Sequence, residues 1–236
     1  MPCVADLVVT LDRVPGEGET LSAHALELHP GGKGANQAAA GALLGYPTSF
    51  VGQVGRDSNA PFLRECLATR GVRLSGLREV EGPCGTAIVM LERKTGENRI
   101  IIVGGANRSD FEILPEQEAL VRSAGMLLLQ QEVPQEVNMR AARIAHDAGV
   151  PVLLDAGGED APLPDEMLGL IDTFSPNETE LGRIVGRAVA TPEDAVRAAR
   201  VRLVAPSGTS SDMPQSLSDR PVALTLPPSS RMLCRS

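Results

Sequence analysis

The second half of the chain alternates between short apolar segments and segments with helical periodicity. Strands that alternate with helices form a parallel sheet, because each connecting helix crosses one face of the sheet before the next strand begins. The pattern therefore predicts an α/β fold whose sheet is covered on both faces. In this part we predict strands at residues 126–130, 150–155 and 171–175, and helices at 134–148, 164–170, from 177 onward and 191–202.

The first half contains elements of the same two kinds. Residues 4–10 predict a buried strand, and residues 48–55 predict another. Two helices are predicted as well. An Ala-rich helix follows the glycines at 31–34, and a second helix begins at Asp57, as its N-terminal cap, and runs to about Arg70.

Two further segments interrupt this alternation. Residues 20–29 alternate loosely between polar and apolar, and residues 86–91 and 99–103 are β-rich runs joined by a turn at 94–98. Exposed strands of this kind do not fit a sheet that helices cover on both faces. We expect them to form a small second sheet that projects from the main body.

Charge and composition exclude several classes of protein. Lys and Arg number 22 against 30 Asp and Glu, and the net charge of −8 disfavours binding to nucleic acid or to anionic membranes. No apolar run reaches the ~18 residues of a transmembrane helix, and no signal peptide is recognisable. The four cysteines lack CxxC spacing and accompanying histidines, so we expect neither a zinc site nor a disulfide framework. Because we expect no disulfides, we predict that the protein resides in a reducing compartment. This compartment is the cytoplasm, or a plastid if a transit peptide lies upstream.

The string GGKGANQ, Gly31 to Gln37, is the most specific motif in the chain. Glycines before a helix let a polar ligand approach the backbone N–H groups at the helix start. Lys33 and Asn36 could then form hydrogen bonds with hydroxyl groups. A bare pair of glycines is more often a tight turn, so the argument depends on the complete string. The chain contains no GxxxxGK[ST], intact GxGxxG, GxSxG or HExxH signature.

Several segments resemble, in order, the ribokinase family of phosphofructokinase-B-like carbohydrate kinases. The resemblance covers roughly residues 4 to 200, and its segments are Ala5-Asp6, PGEGET (15–20), GGKGANQ, GQVGRD (52–57), GTAIVML (85–91), GGAN (104–107), QQE (130–132) and SPNETE (175–180). It implies a ribokinase-like α/β fold, doubly wound and mostly parallel, with a small β-sheet lid that also forms a dimer clasp. The predicted strands near 20–29 and 86–103 are similar to that lid.

The resemblance implies a sugar-binding role for Asp6, Gly32, Lys33, Asn36 and Glu132. Asp6 is similar to a carboxylate that accepts hydrogen bonds from sugar hydroxyls, and Glu132 is similar to a second such acceptor. Glu132 follows an apolar strand, at the edge of the sheet where ligands bind in such folds. The family usually has Asn at the position of Val4, so this chain lacks one expected sugar contact.

The segment from Asn177 to Glu180 matches the family's motif near the ATP phosphates and magnesium. The resemblance places Asn177 at the nucleotide and Glu180 at the metal. The same Asn-x-x-Glu spacing is that of an N-terminal capping box. Both interpretations are compatible, because a helix start close to phosphates can use both features.

No catalytic residue is predicted in the chain. The family's general base is the Asp of a Gly-Ala-Gly-Asp segment that follows the NETE motif by a long interval, and no such segment follows it here. The string AGGED precedes that motif, so we predict that Glu159 and Asp160 are loop residues. We expect the C-terminal third of the fold, and some N-terminal residues, to be missing and the activity of the chain to be impaired.

The resemblance implies ATP-dependent phosphorylation of D-ribose to ribose 5-phosphate, with ATP and Mg²⁺, and with K⁺ in a full-length form. The expected partners are the sugar, ATP and a second copy of the chain, but neither nucleic acid nor a membrane. Two alternatives stay open: an inactive truncated form that binds sugar or dimerises, and a kinase for another sugar or a nucleoside. Five aromatic residues, four Phe and one Tyr, offer few stacking partners for a nucleoside base.

The predicted domain spans residues 1–202. Residues 203–236 are rich in Ser and Pro and show no apolar period. Such a segment cannot bury enough apolar surface to offset its ordering entropy. We predict a disordered or aberrant tail.

Overall fold

The computed structural model describes residues 1–109, 111–158 and 162–204, the last six without their side chains. These residues cluster into two compact units. The first comprises residues 1–120 and 132–137, and the second comprises residues 121–131 and the described residues from 138 onward. The predictions for Glu159 and Asp160 lie outside the described residues. So does the predicted tail of residues 203–236, except for residues 203 and 204, which belong to the last helix and not to a tail.

The elements follow one another as strands and helices of very different length. In chain order they are β1 (Val4–Leu11), β2 (Ala25–Gly31), α1 (Lys33–Leu43), β3 (Gly52–Val54), α2 (Asn59–Thr69), β4 (Leu77–Glu79), β5 (Gly85–Glu92), β6 (Asn98–Val103), a 3₁₀ turn (Gly105–Arg108), α3 (Pro115–Arg122), β7 (Leu127–Gln131), α4 (Gln135–Asp147), β8 (Val152–Gly158), α5 (Asp165–Leu170), β9 (Thr173–Ser175), α6 (Glu178–Val185) and α7 (Pro192–Val204).

The second unit confirms the predicted parallel sheet. Strands β7, β8 and β9 lie side by side, and both neighbouring pairs are parallel. Leu129, Leu154 and Phe174 form one buried row across the three strands. Helices α4 and α5 connect the strands, as the crossover of parallel strands requires.

The first unit contains a mixed four-stranded sheet in the order β2-β1-β5-β6. Strand β1 pairs antiparallel with β2 and parallel with β5, and β5 pairs antiparallel with β6. The sheet therefore unites the strands predicted from residues 20–29 and 86–103 with the strand at the start of the chain. Strands β3 and β4 form a separate parallel pair.

The prediction of a buried strand at the start of the chain is wrong for most of that strand. Val4, Ala5 and Leu11 are buried, but residues 6–10 are half-exposed. The physical reason is that β1 pairs on both sides with strands of the exposed sheet. At the beginning of the strand, Ala5 reaches the core cluster that contains Phe50 and Leu63.

Several boundaries also differ from the predictions. Strand β2 begins at Ala25 rather than at residue 20, and β3 has three residues where eight were predicted. Strand β4, the 3₁₀ turn and α3 were not predicted. Ser58 rather than Asp57 is the N-cap of α2, although the Asp57 carboxylate accepts the N–H of Asn59 at 3.0 Å.

A buried asparagine fixes the start of β1. The N–H of Cys3 donates to Oδ1 of Asn107 (3.1 Å), and Nδ2 of Asn107 donates to the carbonyl of Cys3 (2.8 Å). Asn107, with 3% of its surface exposed, thus pairs with Cys3 as a neighbouring strand would. Gln53 holds the turn that carries Asn107, since its Nε2 donates to Ala106 O at 2.6 Å and to Ser109 Oγ at 2.8 Å.

Replacement of Asn107 by alanine should destabilise the protein. The change leaves the N–H and carbonyl of Cys3 buried without partners, and each such group costs about 1–3 kcal/mol. We expect the free energy of unfolding in urea to fall by about 2–4 kcal/mol. Asn98→Ala, at an exposed position in β6, is the control and should change it by less than about 0.5 kcal/mol. A loss for Asn107→Ala no larger than that of the control would contradict this role.

Candidate functional site

The site residues predicted in the first unit come together where β1, β2 and the start of α1 meet. Asp6 lies near the beginning of β1, Gly31 ends β2, and Lys33 begins α1. Gly32 links the two elements. The register places Val4 opposite Gly31 and Asp6 opposite His29.

Gly31 provides the space that Asp6 occupies. A Cβ atom built on Gly31 would overlap the carboxylate of Asp6. The Asp6 side chain therefore leans along the sheet over Gly31, toward the beginning of α1. Any larger residue at position 31 would displace the carboxylate.

Gly32 is required at the turn for two independent reasons. Its φ of 90° lies in the region that favours glycine, and a Cβ atom would lie 2.9 Å from the carbonyl oxygen of Pro2. The same Pro2 oxygen accepts a hydrogen bond from the N–H of Ala35 at 3.0 Å. The backbone before β1 thus caps the first turn of α1 at a distance that only glycine allows.

Glu132 joins this turn from a distant part of the sequence. Its Oε2 accepts a hydrogen bond from the backbone N–H of Lys33 at 2.8 Å. The following residues hold Glu132 there, because Val133 and Val137 are buried against Phe111. The carboxylate therefore lies at the positive end of α1, where a negative charge is stabilised.

Asn36 lies in the first turn of α1 and is exposed. Its backbone N–H donates to the carbonyl of Gly32 at 3.0 Å. Its side-chain amide forms no hydrogen bond with the described residues. Lys33 is half-buried beside it. The structure thus brings all five predicted sugar-binding residues into one region of the first unit.

Burial and charge act on Asp6 in opposite directions. Burial raises the pKa of the Asp6 carboxyl above its usual value, and the neighbouring His29 partly offsets the rise. In the described part of the chain the Asp6 carboxylate has no hydrogen-bond partner. It is therefore an acceptor available to hydroxyl groups.

Val4 contributes no polar group to the site. It lies on the same face of β1 as Asp6, two residues earlier, and 8% of its surface is exposed. Opposite it stand Gly31 on β2 and Gly85 on β5. Asp6 is the carboxylate that β1 contributes, and the amide expected at position 4 is replaced by methyl groups.

Sequence reasoning missed three residues that shape the site. Gly31 makes room for Asp6, His29 lies opposite it, and Asn107 holds the start of β1. The GGAN segment that contains Asn107 was recognised, but nothing in its composition indicates a bond to a residue 104 positions away. Only the strand register places His29 beside Asp6.

Asn177 and Glu180 lie in the second unit and form the capping box of α6. The N–H of Glu180 donates to Asn177 Oδ1, and the N–H of Asn177 donates to Glu180 Oε2, both at 2.8 Å. The structure therefore confirms the capping interpretation of this spacing. Among the described residues, no group of three or more His, Cys, Asp or Glu side chains could hold a metal ion.

The chain matches the family described as pfkB family carbohydrate kinase over residues 1–204. It is 48% identical over 194 residues to the ribokinase of Arabidopsis thaliana, which covers 80% of this chain and 51% of that protein. It is 36% identical over 199 residues to the ribokinase of Haemophilus influenzae, which covers 84% of this chain and 64% of that protein.

A solved structure agrees with these similarities. The structure of Arabidopsis thaliana ribokinase complexed with ribose and ATP matches with a TM-score of 0.78 and 46% identity. The match covers 84% of this chain and 65% of that chain. The chain thus spans between about half and two thirds of the length of these relatives, within which its α/β fold is the same.

Gly31→Ala should disturb Asp6 and little else. The backbone of Gly31 needs no positive φ, so the added methyl group acts through its overlap with the Asp6 carboxylate. We expect a loss of about 1 kcal/mol in the free energy of unfolding as Asp6 leaves its preferred rotamer. In an Asp6→Ala background the same change should cost nothing, which a double-mutant cycle measures.

Gly125→Ala is the matched control for this cycle, because a Cβ atom there meets no atom within 4 Å. It should leave stability unchanged or raise it slightly. Equal losses from Gly31→Ala with and without the Asp6 side chain would show that the overlap does not position Asp6.

Proposed function

The chain belongs to the pfkB family of carbohydrate kinases, and we propose that it binds D-ribose for ATP-dependent phosphorylation to ribose 5-phosphate. The observation that carries the proposal is the grouping of Asp6, Lys33, Asn36 and Glu132 around one glycine turn. The similarity to a ribokinase whose structure was determined with ribose and ATP supports this choice of sugar.

These residues supply the two kinds of group that a sugar requires. The hydroxyl groups of a sugar both donate and accept hydrogen bonds. The carboxylates of Asp6 and Glu132 are acceptors, whereas the Asn36 amide and the Lys33 ammonium are donors. Hydrogen bonds to charged groups are the stronger ones, so the two carboxylates and Lys33 should contribute most to affinity.

We assign ATP and Mg²⁺ to the start of α6 in the second unit. Mg²⁺ in kinases is held by one or two carboxylates together with water and phosphate oxygens. Glu180 fits such a role, because the capping box engages Oε2 and leaves Oε1 without a partner among the described residues. Asn177 fixes this carboxylate through the same box. When bound, the ion would neutralise charge on the phosphates during transfer.

Asp6→Ala should weaken ribose binding. Loss of a partially buried hydrogen-bonding carboxylate costs about 1–3 kcal/mol, which is about tenfold to a hundredfold in the dissociation constant. Isothermal titration calorimetry with ribose, adenosine and fructose on the 236-residue protein measures this and tests the choice of ligand. We expect ribose to bind most tightly.

Asp12→Ala is the matched control, because Asp12 is an exposed carboxylate beyond the far end of the same strand. It should change ribose affinity less than about twofold. Adenosine binding without ribose binding would overturn the choice of sugar. Equal ribose affinity in Asp6→Ala and the unaltered protein would overturn the site.

The exposed sheet supports association with a second copy of the chain. One face of the sheet carries the aliphatic row Leu28, Leu7, Ile88 and Ile101, which are neighbours across all four strands. Ile101 and Leu26, on the same face, are 52% and 66% exposed. This face is opposite to the one that carries Asp6, since successive residues of a strand alternate between faces. Two copies can cover such a face with the same surface from each.

Ile101→Glu should prevent this association. A charge placed within this apolar surface would have to be buried in the dimer, and we expect the dimer dissociation constant to rise by at least about tenfold. Leu43→Glu is the control, since Leu43 is 70% exposed at the end of α1, outside the sheet. Sedimentation equilibrium measures both. A monomer in the unaltered protein at high concentration would contradict the proposal.

The cysteines and the helices bear on the location of the protein. Cys3, Cys66 and Cys84 are free thiols, and burial raises the pKa of both Cys3 and Cys84 to about 12. Within the described ranges, no helix is long and apolar enough to cross a bilayer. Unpaired thiols fit a reducing compartment, and we propose the cytoplasm, with a plastid as the alternative.

A further inference from the structure

Phe111 forms a small buried cluster with Val133 and Val137. Val133 directly follows Glu132, and Val137 lies in the first turn of α4. Residues 132–137 belong to the first unit, whereas the residues before and after them in the sequence belong to the second. Together with the hydrogen bond of the Glu132 carboxylate, the buried cluster attaches this segment to the first unit.

Arg78 holds one face of the Phe111 ring. Its guanidinium carbon lies 5.2 Å from the centre of the ring, which is the geometry of a cation–π contact. The same side chain donates from Nε to Oε1 of Gln53 at 3.1 Å. Gln53 is buried, and its Nε2 donates to Ala106 O and to Ser109 Oγ. The guanidinium is therefore fixed by Gln53 and in turn fixes the ring.

The residues that follow Phe111 are anchored as well. Ile113 packs against the same buried cluster. The N–H of Leu114 donates to Oε1 of Gln117 at 3.0 Å, and Nε2 of Gln117 donates to the carbonyl of Gly76 at 2.8 Å. Gln117 has 1% of its surface exposed, so its bond to Gly76 is shielded from water. The ring is thus a rigid support for the side chains that pack on it.

We propose that Phe111 is a positioning residue for Glu132: the ring fixes the segment that begins with Glu132, and so directs its carboxylate to the start of α1 and to a sugar bound there. This inference rests on the proposed sugar site, in which Glu132 accepts hydrogen bonds from hydroxyl groups. The carboxylate accepts the N–H of Lys33 at 2.8 Å. Because hydrogen bonds weaken steeply as their geometry departs from the optimum, a small shift of Glu132 affects both contacts.

The packing around Phe111 determines how far Glu132 can shift. A smaller side chain at position 111 leaves a gap beside Val133 and Val137, and the surrounding atoms relax only partly into such a gap. Any movement of Val133 into the gap displaces the adjacent Glu132. Methionine is flexible and fills irregular gaps in a core, so it should replace the ring better than leucine does.

Phe111→Leu should weaken ribose binding. We expect the ribose dissociation constant to rise by about threefold to tenfold, because a hydrogen bond to a charged group is weakened rather than lost. Phe111→Met should recover most of the affinity. Phe174→Leu is the matched control, because Phe174 is as buried as Phe111 (4% against 5% exposed) and lies in β9 of the second unit. It should lower the urea midpoint of unfolding to a similar extent, but change ribose affinity less than about twofold. Calorimetric titration and urea unfolding measure these effects.

A second measurement requires no ligand. The N–H of Lys33 is the first of α1, where no partner within the helix exists, so its hydrogen exchange and proton chemical shift report the bond to Glu132. Glu132→Ala defines the values without this bond. Phe111→Leu should move both values toward them. Phe111→Met and Phe174→Leu should leave both near those of the unaltered protein.

Arg78→Gln is a milder test of the same support. Arg78 is half-buried, and the change removes the cation from the ring face without emptying the buried cluster. It should move the Lys33 amide in the same direction as Phe111→Leu, but by less. If Phe111→Leu does not fold, the Lys33 amide in Arg78→Gln decides the outcome.

The outcomes distinguish the inference from the proposed function. If ribose binds and Asp6→Ala weakens it, but Phe111→Leu changes neither ribose affinity nor the Lys33 amide, the inference is wrong and the sugar site stands. If ribose does not bind, the proposed function is wrong, and the Lys33 amide still decides whether Phe111 positions Glu132. Equal effects of Phe111→Leu and Phe174→Leu on that amide would show a general loss of stability and would overturn the inference.

Discussion

The pairing of Cys3 with Asn107 is the interaction on which the first unit depends. It satisfies both polar backbone groups of Cys3 inside the core and so determines where β1 begins. The register of β1 against β2 begins at that point, and this register places the Asp6 carboxylate over Gly31. The adjacent Pro2 carbonyl caps α1, so the same short segment also locates the glycine turn.

The lack of a side chain at two glycines shapes the site as much as the polar groups do. Gly31 leaves the volume that the Asp6 carboxylate occupies, and Gly32 allows the Pro2 carbonyl to approach α1. Neither position contributes a functional group of its own. A cradle for a small hydroxylated ligand needs backbone and carboxylate close together, and glycine is the residue that permits this approach.

The exposed sheet presents different side chains on its two faces. One face carries the half-exposed Asp6 and the exposed His29, and the other carries an aliphatic row. Because strand residues alternate between faces, a change in register by one residue would exchange the two surfaces. The double pairing of β1 with β2 and β5 opposes such a slip, so the proposed sugar site and the proposed association surface depend on the same register.

The amino-acid pattern by itself determined the kinds of elements and their order. Apolar segments of strand length between helical segments predicted the parallel sheet of β7, β8 and β9, and Asn177 with Glu180 predicted the cap of α6, because these signals are local in sequence. The resemblance of GGKGANQ to the family's motif predicted a ligand-binding turn at Gly32. Tertiary structure alone decided that β1 joins the exposed sheet, that Glu132 binds the Lys33 amide, and that His29 faces Asp6. These contacts join residues 15 to 99 positions apart, and such pairings depend on sheet register and core packing, which no local pattern encodes.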